Sequence, residues 1–151
     1  MQKIVTCLWM DNWIEDAVNL YVSLFKNSKI TNVAHYGDGR VLTINFELEG
    51  QRYMALNGGP NFPFTEAVSL FVNCVDQAEV DRYWNALTAN GGNESQCGWL
   101  KDRFGLSWQI IPDALPRLLG GPDKAGAQRA MQAMLQMQRI SVAGLEKAYA
   151  G

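Results

Sequence analysis

The chain repeats itself. Trp9, Val18 and Tyr21 recur as Phe71, Val80 and Tyr83 at a constant offset of 62, and Gly50-Gln51-Arg52-Tyr53 recurs as Gly105-Leu106-Ser107-Trp108 at an offset of 55. The first copy is therefore longer, by 7 residues, in its middle loops. A repeat of this period is one supersecondary unit used twice, and it fixes the architecture before any single element is read. Each copy reads as a strand, a helix and further strands.

In the first copy, Ile4 to Trp9 form a short apolar strand. Asp11 and Asn12 are N-cap candidates, and Glu15 and Asp16 suit the positive end of the helix that follows. Ala17, Leu20, Tyr21, Leu24 and Phe25 recur at helical spacing, as a helix packed on a sheet requires. Ile30 to Tyr36 is a strand, and Gly37-Asp38-Gly39 a turn. From Val41 to Leu48 the alternation is clear: Leu42, Ile44, Phe46 and Leu48 point one way, Thr43, Asn45 and Glu47 the other. Glu49-Gly50 turns the chain into a returning strand over Arg52 to Leu56, and Asn57-Gly58-Gly59-Pro60 ends it. Residues 60–65 are a connector.

The second copy predicts a strand over Ala67 to Val75, a helix over Gln77 to Ala89 and a break at Asn90-Gly91-Gly92-Asn93. A hairpin follows over 95–103 and 105–111, turning at Asp102 to Gly105. Leu106, Trp108 and Ile110 share one face of its second strand, Ser107 and Gln109 the other, and Pro112 closes it. Pro116 to Pro122 reads as a bridge into a helix over Lys124 to Gln138, where Ala130, Met131, Met134, Leu135 and Met137 crowd one side. Ser141 to Tyr149 is a second short helix. This arm is expected to lie on the domain or on a second subunit.

Composition narrows the function classes. With 151 residues, one domain with a sizeable core is expected. A net charge of −2 supplies neither an electrostatic footprint for nucleic acid nor a polybasic membrane patch. No apolar run approaches a membrane span, and Met1-Gln2-Lys3-Ile4-Val5 runs straight into a strand rather than a signal-peptide layout. Cys7, Cys74 and Cys97 are odd in number and far apart, which suits a reduced, cytoplasmic protein.

Cys97-Gly98-Trp99-Leu100-Lys101-Asp102, followed by Phe104-Gly105-Leu106-Ser107-Trp108-Gln109-Ile110, resembles the signature of PhnB-like proteins. That family is labelled 3-demethylubiquinone-9 3-methyltransferase domain, within the glyoxalase/bleomycin-resistance/dioxygenase (vicinal oxygen chelate) superfamily. Tyr21 to Ile30, Met54 to Pro60, Val80 to Trp84 and Ala127 to Met131 resemble its first helix, the end of its first module, its second helix and its C-terminal helix. The resemblance implies an α+β fold of two tandem βαβββ modules, about 1–58 and 66–112. They would form a curved mixed sheet around a cleft, with a helical C-terminal arm over 113–151 and a homodimer as the assembly.

Superfamily members that use a metal place their ligands on the strands facing the cleft. The resemblance aligns those positions with Thr6, Ala55 or Leu56, Ser69 and Gln109. None carries the imidazole, thiolate or carboxylate a divalent first-row metal wants, so no metal and no cofactor are expected. His35, the one histidine, sits at a strand end with no HxxE or HxH spacing, and no Gly-x-Ser-x-Gly elbow accompanies it. Gly37-Asp38-Gly39, Gly58-Gly59, Gly91-Gly92 and Gly120-Gly121 are hairpin or linker glycines, so S-adenosylmethionine, dinucleotides and a P-loop lack their usual seat.

Two readings remain. In the first, the protein binds a small aromatic or carbonyl ligand without a metal, using Thr6, Ser69 and Gln109 for hydrogen bonds and Trp9, Trp99, Trp108 and Lys101 as pocket wall. In the second, it is an enzyme acting on such a molecule: a methyltransferase of the family's label, or a metal-dependent lyase or dioxygenase. Cys97, beside Lys101, is the candidate nucleophile.

Overall fold

The computed structural model describes residues 2–151. Two units succeed one another along the chain, divided between Phe64 and Thr65. The first contains β1 (Thr6–Met10), α1 (Ile14–Leu24), β2 (Lys29–His35), β3 (Val41–Leu48) and β4 (Gln51–Asn57). Its strands form one mixed sheet in the order β1-β4-β3-β2, with β1 parallel to β4 and the other pairs antiparallel.

Period-two alternation sorts the first sheet into two faces. Leu8, Met10, Ile44, Phe46, Leu48 and Ala55 are buried, together with Ile14, Ala17, Val18, Tyr21 and Leu24 of α1. That is the helix-covered face. Trp9 pairs with Leu56, and Leu56 with Thr43, so these three lie on the opposite face. The start of α1 differs from the expectation. Trp13 holds the N-cap position without a side-chain bond. Asp11 instead accepts from the Ile14 N–H through its carbonyl at 2.9 Å, while its side chain takes the Asn12 N–H at 2.8 Å. A turn thus spends the capping residues before the helix begins.

The second unit contains β5 (Ser69–Cys74), α2 (Gln77–Thr88), β6 (Asn93–Glu94), β7 (Trp99–Lys101), β8 (Ser107–Pro112), α3 (Ala114–Leu119), α4 (Lys124–Leu135) and α5 (Val142–Ala150). Its sheet order, β5-β8-β7-β6, reproduces that of the first. The fold is therefore α+β, two βαβββ modules, each with its own four-stranded sheet, plus helices at the C-terminus. Val18 and Val80, matched in sequence, are both fully buried. Strand pairing corrects the second offset: Leu8 pairs with Ala55 and Leu70 with Trp108, so Trp108 answers to Ala55 rather than to Tyr53. That slip of two residues keeps the face, where a slip of one would have inverted it.

Two elements appear where the sequence suggested none. Asn93–Glu94, at the edge of the expected glycine break, pairs with Leu100 and Lys101 as β6. The expected bridge from Pro116 begins inside α3, whose third residue is Pro116. In a first turn the missing proline N–H breaks no intrahelical bond, so proline marks a helix start as readily as a linker. Asp76 caps α2 by accepting from the Glu79 N–H at 2.9 Å.

The C-terminal helices lie on the second unit itself. Ile111, Ala114, Leu115, Leu118, Ala130, Ile140 and Leu145 form one buried cluster, with Met134 and Met137 packed against it. Met131 and Leu135, expected on the same side, are 38% and 46% exposed. Polar bonds tie the arm to α2: Gln77 donates to the Ile140 carbonyl at 3.0 Å and accepts from the Val142 N–H at 2.7 Å. No helix among the described residues is long and apolar enough to cross a membrane.

Cys74 ends β5 fully buried. Burial, reinforced by the nearby Glu79 and Asp113 carboxylates, pushes its thiol up from 9.0 to about 12. Between those values the unfolded chain gives up this proton and the folded chain keeps it, so folding stability falls as pH rises from about 9 towards 12. We expect the urea midpoint to drop more between pH 8 and pH 10 in the native protein than in Cys74→Ala. Parallel drops would show that this thiol does not carry the effect.

Candidate functional site

The second sheet places chemistry on the face away from α2. Register decides which side chains share that face. Ser69 pairs with Ser107, Phe71 with Gln109, Trp99 with Gln109, Lys101 with Ser107, and Asn93 with Lys101. Leu70, Trp108, Leu100 and Ile110 alternate to the other side, where Trp108, Leu100 and Ile110 are buried in the core.

A cavity of about 330 Å3 opens here, lined by Glu66, Asn93, Glu94, Ser95, Trp99, Leu100, Lys101 and Ser107. Lys101 is held by Glu66 in an ion pair, and both side chains remain partly exposed. The Lys101 ammonium holds the Glu66 carboxyl below its usual range, first by hydrogen bonding and then by charge attraction. Glu94 belongs to the other side: it pairs with Leu100, and its carboxylate accepts from the buried Trp84 indole at 2.6 Å. Gln109 donates to the Ser69 hydroxyl at 3.0 Å. Ser107 differs from its neighbours. It is 1% exposed, and its Oγ is a buried polar atom with no hydrogen-bond partner. A buried hydroxyl without a partner costs on the order of 1–3 kcal/mol, and a water or a bound molecule is what completes such a bond.

Of the expected set, Trp99 and Lys101 line the cavity; Ser69 and Gln109 share its face of the sheet but bond to each other and are not among the residues that line it. Trp108 departs from the set. Its ring is 1% exposed and its indole N–H donates to Asp102 Oδ2 at 2.9 Å, which makes it a core residue on the helix side. Thr6 departs too, because it alternates with Leu8 and Met10 on the helix-covered face of the first sheet. Trp9 lies on the opposite face of that sheet, in the first unit. Its indole N–H donates to the Gly59 carbonyl at 2.9 Å, and its ring meets Phe62 edge-on at 4.9 Å. Gly58 is its floor, since a Cβ there would fall 2.3 Å from the ring.

Cys97 is not among the residues that line the cavity. It sits in the turn before β7 with φ +59°, and its N–H donates to the Met137 carbonyl at 2.8 Å. Its neighbour cation in sequence, Lys101, is engaged by Glu66. Ser107 and Glu66 are the residues the sequence reading did not enlist. Alternation had already put Ser107 beside Gln109, whereas nothing local marks Glu66, which reaches Lys101 from the connector.

The donor set does not fit a first-row metal. Among the described residues no group of three or more His, Cys, Asp or Glu side chains is placed to hold an ion. Glu47, the carboxylate facing away from α1 on β3, lies 3.9 Å from the Lys29 ammonium across the strand pair. His35 is exposed at the end of β2.

Residues 2–111 match the family model for 3-demethylubiquinone-9 3-methyltransferase. The PhnB protein from Bacillus cereus is 33% identical, aligns over 74% of this chain and 99% of its own, and superposes with a TM-score of 0.69. Protein PA1353 from Pseudomonas aeruginosa shares the fold at 19% identity, covering 74% of this chain and 98% of its own, with a TM-score of 0.61. So does the fosfomycin resistance protein FosX from Listeria monocytogenes, a complex with Mn(II) and sulfate, at 14% identity, 72% and 90% coverage and a TM-score of 0.53. No curated protein matches the chain. Family model and B. cereus relative agree, and the chain belongs to the PhnB-like, 3-demethylubiquinone-9 3-methyltransferase family.

Proposed function

We propose that this protein binds a small planar organic molecule, aromatic or carbonyl-bearing, against the second sheet, without the metal site usual in its superfamily. The observation that carries this reading is the Ser107 hydroxyl, buried at the cavity wall with no partner in the protein. A ligand oxygen or N–H supplies that partner. Trp99 lines the same cavity and offers a flat apolar surface for a ring. The volume, about 330 Å3, sits at the small end of ligand sites and suits a one-ring compound.

Saturation-transfer NMR with phenol, benzaldehyde, benzamide and benzoate tests it. At least one should bind the native protein, and Trp99→Ala and Ser107→Val should each weaken that compound by about tenfold, the worth of one good buried contact. If none of the four binds, or if both variants bind as the native protein does, the reading fails.

A further inference from the structure

The ion pair at this cavity says more about its occupant. Lys101 and Ser107 are directly opposed across β7 and β8, which sets their Cβ atoms roughly 4.5–5.5 Å apart on one face. The two oxygens of one carboxylate bridge such a pair, one taking the ammonium N–H and the other the hydroxyl. A carboxylate already occupies half of this arrangement: Glu66, exposed on the connector, lies on the Lys101 ammonium. It leaves the Ser107 hydroxyl without a partner. Trp99 stands two residues before Lys101 on the same strand and the same face, about 7 Å along it, the span of one aromatic ring bearing a carboxylate. The other acid at the cavity, Glu94, turns its carboxylate to the Trp84 indole on the helix side, so of the charged residues lining the cavity Lys101 and Glu66 are the two left to meet an occupant.

We infer that the site selects an aryl carboxylate, with Lys101 and Ser107 clasping the carboxylate, Trp99 against the ring, and Glu66 as a resident placeholder that the ligand displaces. This rests on the binding reading above and gives it a ligand class. Displacement exchanges one carboxylate on Lys101 for another, so the gain comes from the Ser107 bond and from the ring.

Titration calorimetry with benzoate, benzamide and acetate separates the terms. Benzoate should bind about tenfold more tightly than either of the others, benzamide lacking the charge and acetate the ring. Lys101→Met should abolish the preference for benzoate over benzamide, and Lys101→Arg should keep it. Glu66→Gln, which frees Lys101, should tighten benzoate several-fold and leave benzamide unchanged. Should benzamide bind as tightly as benzoate, or Lys101→Met leave the preference intact, the carboxylate assignment is wrong while small-molecule binding stands. Equal affinity for acetate and benzoate removes the ring from the assignment. If neither benzoate nor benzamide binds, the inference fails, and phenol and benzaldehyde decide whether the broader reading fails with it.

Discussion

Replacing Asp102 by alanine should lower the unfolding free energy by about 3–5 kcal/mol, because three N–H groups lose one acceptor at once. Asp102 is 2% exposed. Its Oδ1 accepts from the Phe104 N–H at 2.9 Å and the Leu106 N–H at 3.1 Å, and its Oδ2 accepts from the Trp108 indole at 2.9 Å. The backbone closes the same turn, with the Asp102 N–H donating to Leu106 and the Gly105 N–H donating to Asp102, both at 2.9 Å. The carboxylate therefore fixes the loop between β7 and β8 and anchors the largest side chain beneath it. Alanine removes the acceptor from one part-buried and two buried donors, and a charge-assisted bond is the strongest kind to lose. Asp102→Asn keeps one carbonyl oxygen for the two backbone donors and sets its amide against the indole, so a smaller loss is expected. Urea unfolding reads both variants, an unchanged slope with a lowered midpoint being the two-state outcome. An alanine variant within about 1 kcal/mol of the native protein contradicts this account. The consequence reaches the cavity, since this loop holds Lys101 opposite Ser107.

Asp102 also shows where sequence reading ends. An aspartate three residues before a glycine marks a turn, and the turn is there. Nothing local says that the same carboxylate is buried, because its indole partner is decided by the fold. The strands facing the helices were legible for a physical reason: Ile44, Phe46 and Leu48 alternate with polar residues, and a half-buried strand must. The site was legible only in part. Ser69 and Gln109 are joined by a hydrogen bond on the face away from α2. Thr6 was matched to them by a one-residue error. The offset that equates Trp9 with Phe71 equates Ser69 with Cys7, and Cys7 lies on the face opposite Thr6. Trp108 misled for another reason. An aromatic beside a candidate pocket residue looks like pocket wall, yet adjacent residues on a strand point to opposite sides. Glu66 was illegible, since a side chain reaching out of a connector obeys no periodicity.

The second large effect is expected at Gly98, where Gly98→Ala should cost about 3 kcal/mol or more through backbone strain and overpacking together. The residue has φ +85°, a region that side-chain-bearing residues enter at a cost. Space is also lacking. A Cβ would lie 2.7 Å from Ile111 Cδ1, 3.0 Å from the Ile110 carbonyl oxygen and 3.1 Å from Ile140 Cγ1. The isoleucine tips can move; the carbonyl cannot, because it belongs to β8. Gly98 is also a junction. Its N–H donates to the Gln138 carbonyl and its own carbonyl accepts from the Ile110 N–H, each at 2.8 Å. Displacing it therefore loosens the seam between β8 and the segment that leads from α4 into α5. Two measurements check this together: the urea midpoint should fall, and trypsin should cut sooner after Arg139, whose guanidinium otherwise lies between Asp81 and Asn85 of α2. Cys97→Gly is the control next door. Cys97 also has a positive φ, +59°, so glycine relieves strain there and the bond to Met137 survives. Its stability should stay within about 1 kcal/mol of native. If Gly98→Ala behaves like Cys97→Gly, the close approach at Gly98 does not govern how the arm is held.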